Sequence, residues 1–203
     1  MPLEKLRALK FQPFVSGLLV AINVIVFFVG TYDKGSIYDA GMLKAFEVLE
    51  QREYDRIIWS LFLHNDISHL FNNMFLLFFM GAMIEKEIGH VRFGILYFLS
   101  GIGGNIVSLI IKVIKSNFSA SLGASGAIFG LDGVLLAMVL FSEKKMENVT
   151  PVRVLLMIAY SLYSGFTGRN IDNAAHVGGL FTGFVLAAVM CGIGRLRRKG
   201  DQL

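Results

Sequence analysis

The sequence predicts an all-α, polytopic membrane protein, a bundle of six transmembrane helices with a long, partly helical first loop in the membrane interface. Of its 203 residues, 55% are hydrophobic and only 17% are charged, and the mean hydropathy is +0.63. Soluble domains of this length normally carry more charge and fewer apolar residues. Six apolar segments also come close to the roughly 20 residues that a helix needs to span a bilayer. The length suits a single membrane domain over residues 1–203.

The six predicted helices follow one another along the chain at roughly 14–30, 68–84, 93–114, 122–141, 152–166 and 173–193. The fifth is the shortest. Residues 31–65, between the first and second helices, mix charged residues with apolar and aromatic ones, including Tyr54 and Trp59. Such spacing favours short amphipathic helices that lie in the membrane interface.

The basic residues predict the orientation. With the N-terminus inside, twelve of the 19 Lys and Arg residues fall on the inner side and seven on the outer side, the excess that cytoplasmic segments carry. Both termini are then cytoplasmic, and the second, fourth and sixth helices begin at the outer side. The minimal six-helix layout leads us to expect a bacterial inner membrane as the location.

Several classes of function are disfavoured. Cys191 is the single cysteine, so neither an intrachain disulfide nor a cysteine metal site is expected. The histidines show no His-Glu-Xaa-Xaa-His pattern, so no metal is expected. The basic residues flank apolar segments and form no stripe, which argues against nucleic acid as a partner. No cofactor is implied, and without a signal-peptide cleavage site the first apolar run is expected to remain as a helix.

Ser125 and His176 lie at the outer starts of the fourth and sixth predicted helices. Polar groups inside a bilayer are costly unless they pair or do chemistry. A serine becomes a nucleophile when a base takes its proton, and an imidazole that titrates near neutrality suits that task. The two residues therefore predict a nucleophile and a general base.

Small residues on the same two helices would allow them to meet. Gly126 and Gly130 on one helix, and Gly179 and Gly183 on the other, each form a small-xxx-small face that lets helices approach closely. The alternative remains that these glycines only pack helices, and that Ser125 donates to a backbone carbonyl.

His69 and Asn73 are four residues apart and share one face of the second helix. Both can donate hydrogen bonds to an oxyanion, as can the Ser125 amide near its helix N-terminus. The alternative for Asn73 is an interhelical polar bond. His64, before the apolar run, is interpreted as a structural loop residue.

Two acidic residues lie near the dyad in sequence. Asp132 is seven residues beyond Ser125, about 10 Å along a helix, and is expected to be buried and hydrogen-bonded rather than to orient His176. Asp172 is expected to cap the sixth helix. Neither fits well as a third catalytic member, so the sequence predicts a dyad.

These motifs together resemble the rhomboid intramembrane serine proteases. Residues 123–126 (GASG) resemble the GxSG motif of that family, residues 64–73 its histidine-rich start of the second helix, residues 175–183 its last-helix motif, and residues 81–85 its pattern at the inner end of the second helix. The resemblance extends from the first helix to the sixth.

The resemblance implies a function and roles for particular residues. Ser125 would be the nucleophile, His176 the base, and His69, Asn73 and the Ser125 amide the oxyanion hole. The residues expected to pack helices near the site are Gly123, Gly126, Phe129, Gly179 and Gly183. Phe129 falls where the family often has a tyrosine, so its ring is expected to stack on the histidine. Asp55 and Arg56 stand where the family often has Trp-Arg; Arg56 fits and Asp55 departs, so any membrane contact of that loop through a tryptophan is expected from Trp59 instead.

The implied function is a serine endopeptidase that cleaves in or near transmembrane segments of other membrane proteins, with those substrates and the lipid bilayer as its partners. Two alternatives belong to other classes. One is a catalytically inactive rhomboid-like protein that binds membrane clients, which the presence of both Ser125 and His176 disfavours. The other is a small transporter, although no internal inverted repeat is seen.

Overall fold

The computed structural model describes residues 12–33, 35–142, 150–167 and 171–200, and most of these are helical. The helices are α1 (Phe14–Tyr32), α2 (Ser36–Gly41), α3 (Ala45–Leu49), α4 (Arg56–Trp59), α5 (Ile67–Ile88), α6 (His90–Ile114), α7 (Ser125–Phe141), α8 (Pro151–Thr167) and α9 (Asn173–Gly200). A 3₁₀ turn, Ser60–Phe62, follows α4. Within the described ranges, extended pairing is limited to one bridge between Leu43 and Ser121. The predicted all-α class is confirmed.

Four helices, α1, α5, α6 and α9, are long and apolar enough to cross a membrane. α7 is a shorter apolar helix of 17 residues, and the crossing of the membrane by α8 stays a prediction. Part of the basis for the orientation lies outside the described residues, namely Lys5, Arg7, Lys10, Lys34, Lys144, Lys145 and Arg169.

Four predicted helix boundaries differ from the structure by three residues or more. α6 begins at His90, directly after Gly89, instead of at residue 93. The other three differences each have a local reason. α5 continues past residue 84 to Ile88, because a helix-compatible Glu-Lys-Glu stretch follows the apolar run and the stop comes only at Gly89, with φ of 85°. α7 begins at Ser125 instead of residue 122, since Gly123 has a φ of 126° that a right-handed helix excludes. α9 runs on to Gly200, because helix-forming residues extend beyond its apolar part.

The first loop forms short helices, as its pattern predicts, and their place in the membrane interface stays a prediction. Arg56, at the start of α4, bonds to the end of α2. Its guanidinium donates to the Asp39 carbonyl at 2.6 Å and to the Met42 carbonyl at 3.1 Å. The loop also reaches the segment before α7, where the backbones of Leu43 and Ser121 exchange hydrogen bonds of 2.9 and 3.0 Å. The loop is therefore a fixed part of the fold.

Glu85 joins the beginning of α1 to the end of α5. Its fully buried carboxylate accepts the backbone N–H groups of Val15 at 2.8 Å and Ser16 at 2.9 Å, and the Ser16 hydroxyl at 2.5 Å. His90 also contacts it. A buried charge is tolerated when its lone pairs are satisfied in this way, and this one caps the first turn of α1.

α7 lies at the centre of the bundle, with most of its side chains buried against α5, α6, α8 and α9. It meets α9 with backbone against backbone. A Cβ built on Gly179 would overlap the carbonyl oxygen of Gly126, and one on Gly183 would overlap that of Gly130. Glycine is required at these two positions because there is no space for any side chain.

We expect the same substitution to have different effects on stability at two positions of α9. Gly179→Ala should lower the free energy of unfolding by about 1–3 kcal/mol, because its methyl group must push α9 away from α7. Gly192→Ala is the matched control: nothing lies within 4 Å of its Cβ position, so the better helix former should be neutral or stabilising by up to about 1 kcal/mol. Denaturant titration in micelles, followed by circular dichroism, measures both; equal values would contradict the close contact.

Candidate active site

Ser125 and His176 are hydrogen-bonded to each other. Ser125 is the first residue of α7, and His176 lies in the first turn of α9. The distance from Ser125 Oγ to His176 Nε2 is 2.8 Å. The imidazole is buried, with 5% of its surface exposed, whereas Ser125 is half-buried. The structure thus brings together the residues that the sequence predicts as nucleophile and base, in a geometry that allows proton transfer.

Phe129 packs against one face of the His176 ring. The two rings are stacked, with centroids 4.1 Å apart and planes at 11°. Phe129 is one helical turn after Ser125, so a single face of α7 carries both the hydroxyl and the ring that packs on the imidazole. The expected stacking is confirmed. A phenylalanine offers no hydroxyl, so packing alone orients the ring from this side.

His69 and Asn73 lie beside the turn that precedes Ser125. A Cβ on Gly123 would stand 2.8 Å from His69 Cε1, 2.9 Å from His69 Nε2 and 3.7 Å from Asn73 Nδ2. The Gly123 amide donates to the Ser60 carbonyl at 2.8 Å, which fixes the turn. Two side-chain donors therefore lie against the turn that leads into Ser125 and the first amide of α7. Gly123 is required by its positive φ and by this close approach.

His64 belongs to the same cluster, although the sequence analysis interprets it as a structural loop residue. Its Nε2 is 3.0 Å from Asn73 Nδ2, and its ring centroid lies 4.9 Å from that of His69. The ring is fully buried. Burial first, and then the neighbouring His69, lower the pKa of His64 to about 3, so the ring is neutral at physiological pH. A neutral imidazole nitrogen accepts one Asn73 N–H and leaves the second N–H free to point elsewhere.

Neither acidic residue contacts the His176 ring. Asp172 caps α9, its Oδ1 accepting the Ala175 N–H at 3.0 Å, as the sequence predicts. Asp132 is buried in α7 and hydrogen-bonds to Ser161 of α8. His176 Nδ1 has no hydrogen-bond partner among the residues that the structure describes. The geometry is that of a pair, without a carboxylate as third member.

Among the residues that the structure describes, no group of three or more His, Cys, Asp or Glu side chains is arranged to bind a metal ion. The absence of a metal and of a cofactor remains a prediction.

Comparison with known proteins identifies the family of this chain. Residues 51–193 match the family model described as the Rhomboid domain. The chain belongs to the rhomboid family. It is 33% identical over 194 residues to the Bacillus subtilis (strain 168) protein named Rhomboid protease GluP, which covers 92% of this chain and 37% of that protein. It is 39% identical over 152 residues to RHOMBOID-like protein 4 of Arabidopsis thaliana, covering 74% of this chain and 37% of the relative.

Family membership and the apolar helices make this rhomboid protein an integral, multi-pass membrane protein. RHOMBOID-like protein 5 of Arabidopsis thaliana is 33% identical over 189 residues, and this chain spans 57% of its length. The chain thus spans between about a third and somewhat more than half of these three curated relatives.

The depressed pKa of His64 predicts a loss of stability in mild acid. Below its ordinary pKa of 6.5, the unfolded chain binds a proton at residue 64 that the folded chain does not take up until about pH 3. The free energy of unfolding should therefore fall as pH decreases through this window. In His64→Gln the fall between pH 7.5 and 4.5 should be shallower than in the wild type, as measured by denaturant titration at each pH. Parallel curves for the two proteins would show that His64 is not held neutral.

Proposed function

We propose that this rhomboid protein is an intramembrane serine endopeptidase that hydrolyses peptide bonds in or near transmembrane segments of other membrane proteins. The observation that carries the proposal is the 2.8 Å hydrogen bond between Ser125 Oγ and His176 Nε2, next to a cluster of hydrogen-bond donors. Family membership supports the same reaction class.

In the proposed reaction, Ser125 Oγ attacks the carbonyl carbon of the scissile amide while His176 Nε2 accepts its proton. His176 then donates that proton to the leaving amine, and the C–N bond breaks to give an acyl-enzyme. Water attacks the ester, again with His176 as base, and releases the new carboxyl terminus. One imidazole that alternates as base and acid is sufficient for both halves of the reaction.

His69, Asn73 and the Ser125 amide are the proposed oxyanion hole. They converge beside the nucleophile, and the α7 N-terminus contributes the positive end of its dipole. The hydrogen bond between Asn73 and His64 at 3.0 Å supports this role, because it fixes the amide before any charge develops. Donors fixed in advance stabilise an oxyanion without a cost of reorganisation.

Substrate and topology follow from the chemistry. Hydrolysis consumes water, so the outer end of the bundle must admit it, and the polar start of α5 would line that cavity. An intact substrate helix hides its amides in its own hydrogen bonds, so we infer a preference for small or helix-breaking residues near the outer membrane boundary. We also propose six spans, cytoplasmic termini and a bacterial inner membrane, with no metal, cofactor or nucleic acid involved.

Covalent labelling tests the dyad. The protein in detergent should react with a fluorophosphonate probe, and the reaction should be lost in Ser125→Ala and in His176→Ala, since both the nucleophile and its base are needed. Ser36→Ala, at an exposed serine of α2, is the control and should label like the wild type. Absence of labelling in a folded wild type, as expected for a transporter or an inactive client-binding protein, would refute the proposal.

A second test concerns the oxyanion hole. Asn73→Ala should lower kcat by about 10²-fold, the usual cost of removing one such donor, in an assay with a fluorescently labelled transmembrane peptide. Asn72→Ala removes the neighbouring, exposed asparagine and should leave kcat unchanged. Turnover in Asn73→Ala equal to that of the control would exclude Asn73 from the mechanism.

A further inference from the structure

Asp172 does more than cap α9. While its Oδ1 accepts the Ala175 amide at 3.0 Å, its Oδ2 accepts the Ser121 hydroxyl at 2.6 Å and also the hydroxyl of Ser108 on α6. One carboxylate therefore joins three parts of the chain: α6, the segment that leads into α7, and the start of α9.

Lys112 completes this network from α6. Its ammonium group donates to the Ser119 carbonyl at 2.5 Å and to the Ser121 hydroxyl, and lies 3.5 Å from Asp172 Oδ2. The lysine side chain is only 8% exposed, so its charge needs the carboxylate nearby. Burial alone would raise the pKa of Asp172, but the hydrogen bonds from Ser108, Ser121 and Ala175, together with Lys112, hold it below its ordinary value. The carboxylate is ionised.

The hydrogen bond between Ser121 and Asp172 joins two residues that lie close to the dyad in sequence. Ser121 is four residues before Ser125, and Asp172 is four residues before His176. The backbone of Ser121 is itself fixed by its bridge to Leu43. The hydrogen bond between Ser121 and Asp172 thus spans the two segments that carry the nucleophile and the base.

We propose that Asp172 is a positioning residue, and that its hydrogen bond with Ser121, supported by Lys112, sets the separation between Ser125 and His176. This inference rests on the proposed function, in which a misplacement of about 1 Å between reacting groups can cost 10²-fold in rate. Asp172 acts through the backbone of α9 and does not touch the imidazole, so it is no third member of a triad.

Three variants separate this role from general stability. Ser121→Ala removes the link and leaves the carboxylate in place. Asp172→Ser keeps a residue that caps helices as well as aspartate does, but its single short oxygen cannot also reach Ser121. Ser108→Ala is the matched control, because it removes a hydrogen bond to the same Asp172 oxygen from a helix that carries no member of the dyad.

The expected result is a loss in kcat without a loss in binding of the labelled transmembrane peptide. Ser121→Ala and Asp172→Ser should each lower kcat about ten- to a hundredfold with KM nearly constant, since the reacting atoms are misplaced and the substrate is not. The double variant should be no slower than Asp172→Ser alone, because both changes break one interaction. Ser108→Ala should stay within about twofold of the wild type.

A second readout is independent of turnover. In ¹⁵N-histidine NMR spectra, the His176 ring signal, assigned with His176→Ala, should move in Ser121→Ala and in Asp172→Ser toward its position in Ser125→Ala. Additive losses in kcat, a loss in Ser108→Ala as large as that in Ser121→Ala, or an unchanged His176 signal would overturn the proposal. If the wild type fails to label with fluorophosphonate, the proposed protease function fails, and the His176 signal alone then decides the positioning role.

Discussion

The direct contact between the backbones of α7 and α9 is the constraint on which the rest of the structure depends. Gly179 and Gly183 of α9 lie against the backbone carbonyls of Gly126 and Gly130, with no room for a Cβ on either α9 glycine. This contact brings the first turns of both helices to the distance at which Ser125 and His176 share a hydrogen bond. Without a hydrophobic force between helices in lipid, such association relies on close packing and on interhelical polar contacts. Here the packing is supplied by glycine, and the polar contact is the candidate dyad itself. The helix interface and the site are therefore one feature of the fold.

A second constraint is that the polar groups near Ser125 and His176 satisfy one another's hydrogen-bonding needs. Asn73 is paired with a neutral His64, and Asp172 with two serines, a backbone amide and Lys112. Each pairing orients a group next to the dyad, and each lowers the cost of keeping a polar side chain away from water. Asp132 lies about two turns deeper and bonds to Ser161, which separates its carboxylate from the chemistry. The arrangement concentrates polarity where water is consumed in the proposed reaction.

Much of the fold and the core of the site could be predicted from the sequence, because hydropathy and helix periodicity are local properties. The helices appear near their expected positions, and the stack of Phe129 on His176 follows from one helical turn. Errors arise where a single backbone angle determines where a helix begins or ends, as at Gly123 and Gly89, because hydropathy does not encode such an angle. The contact of His64 with Asn73 could not be predicted for another reason, because it joins the loop to a residue nine positions later, inside α5. The link between Ser121 and Asp172 joins residues 51 positions apart, which no spacing rule anticipates.

No carboxylate among the described residues bonds to His176 Nδ1, so other contacts must orient the imidazole. In a serine triad the third residue fixes the tautomer and orientation of the histidine. Here two contacts constrain the ring, the Phe129 stack on one face and the Ser125 hydroxyl at Nε2. The first turn of α9, which carries the histidine, is in turn capped by Asp172 and hydrogen-bonded through it to Ser121. Packing and a fixed helix end therefore constrain the ring without a carboxylate placed against it. In the proposed mechanism the orientation of the base then depends on residues one helical turn away from it, so the accuracy of the site depends on the helix ends as much as on the dyad.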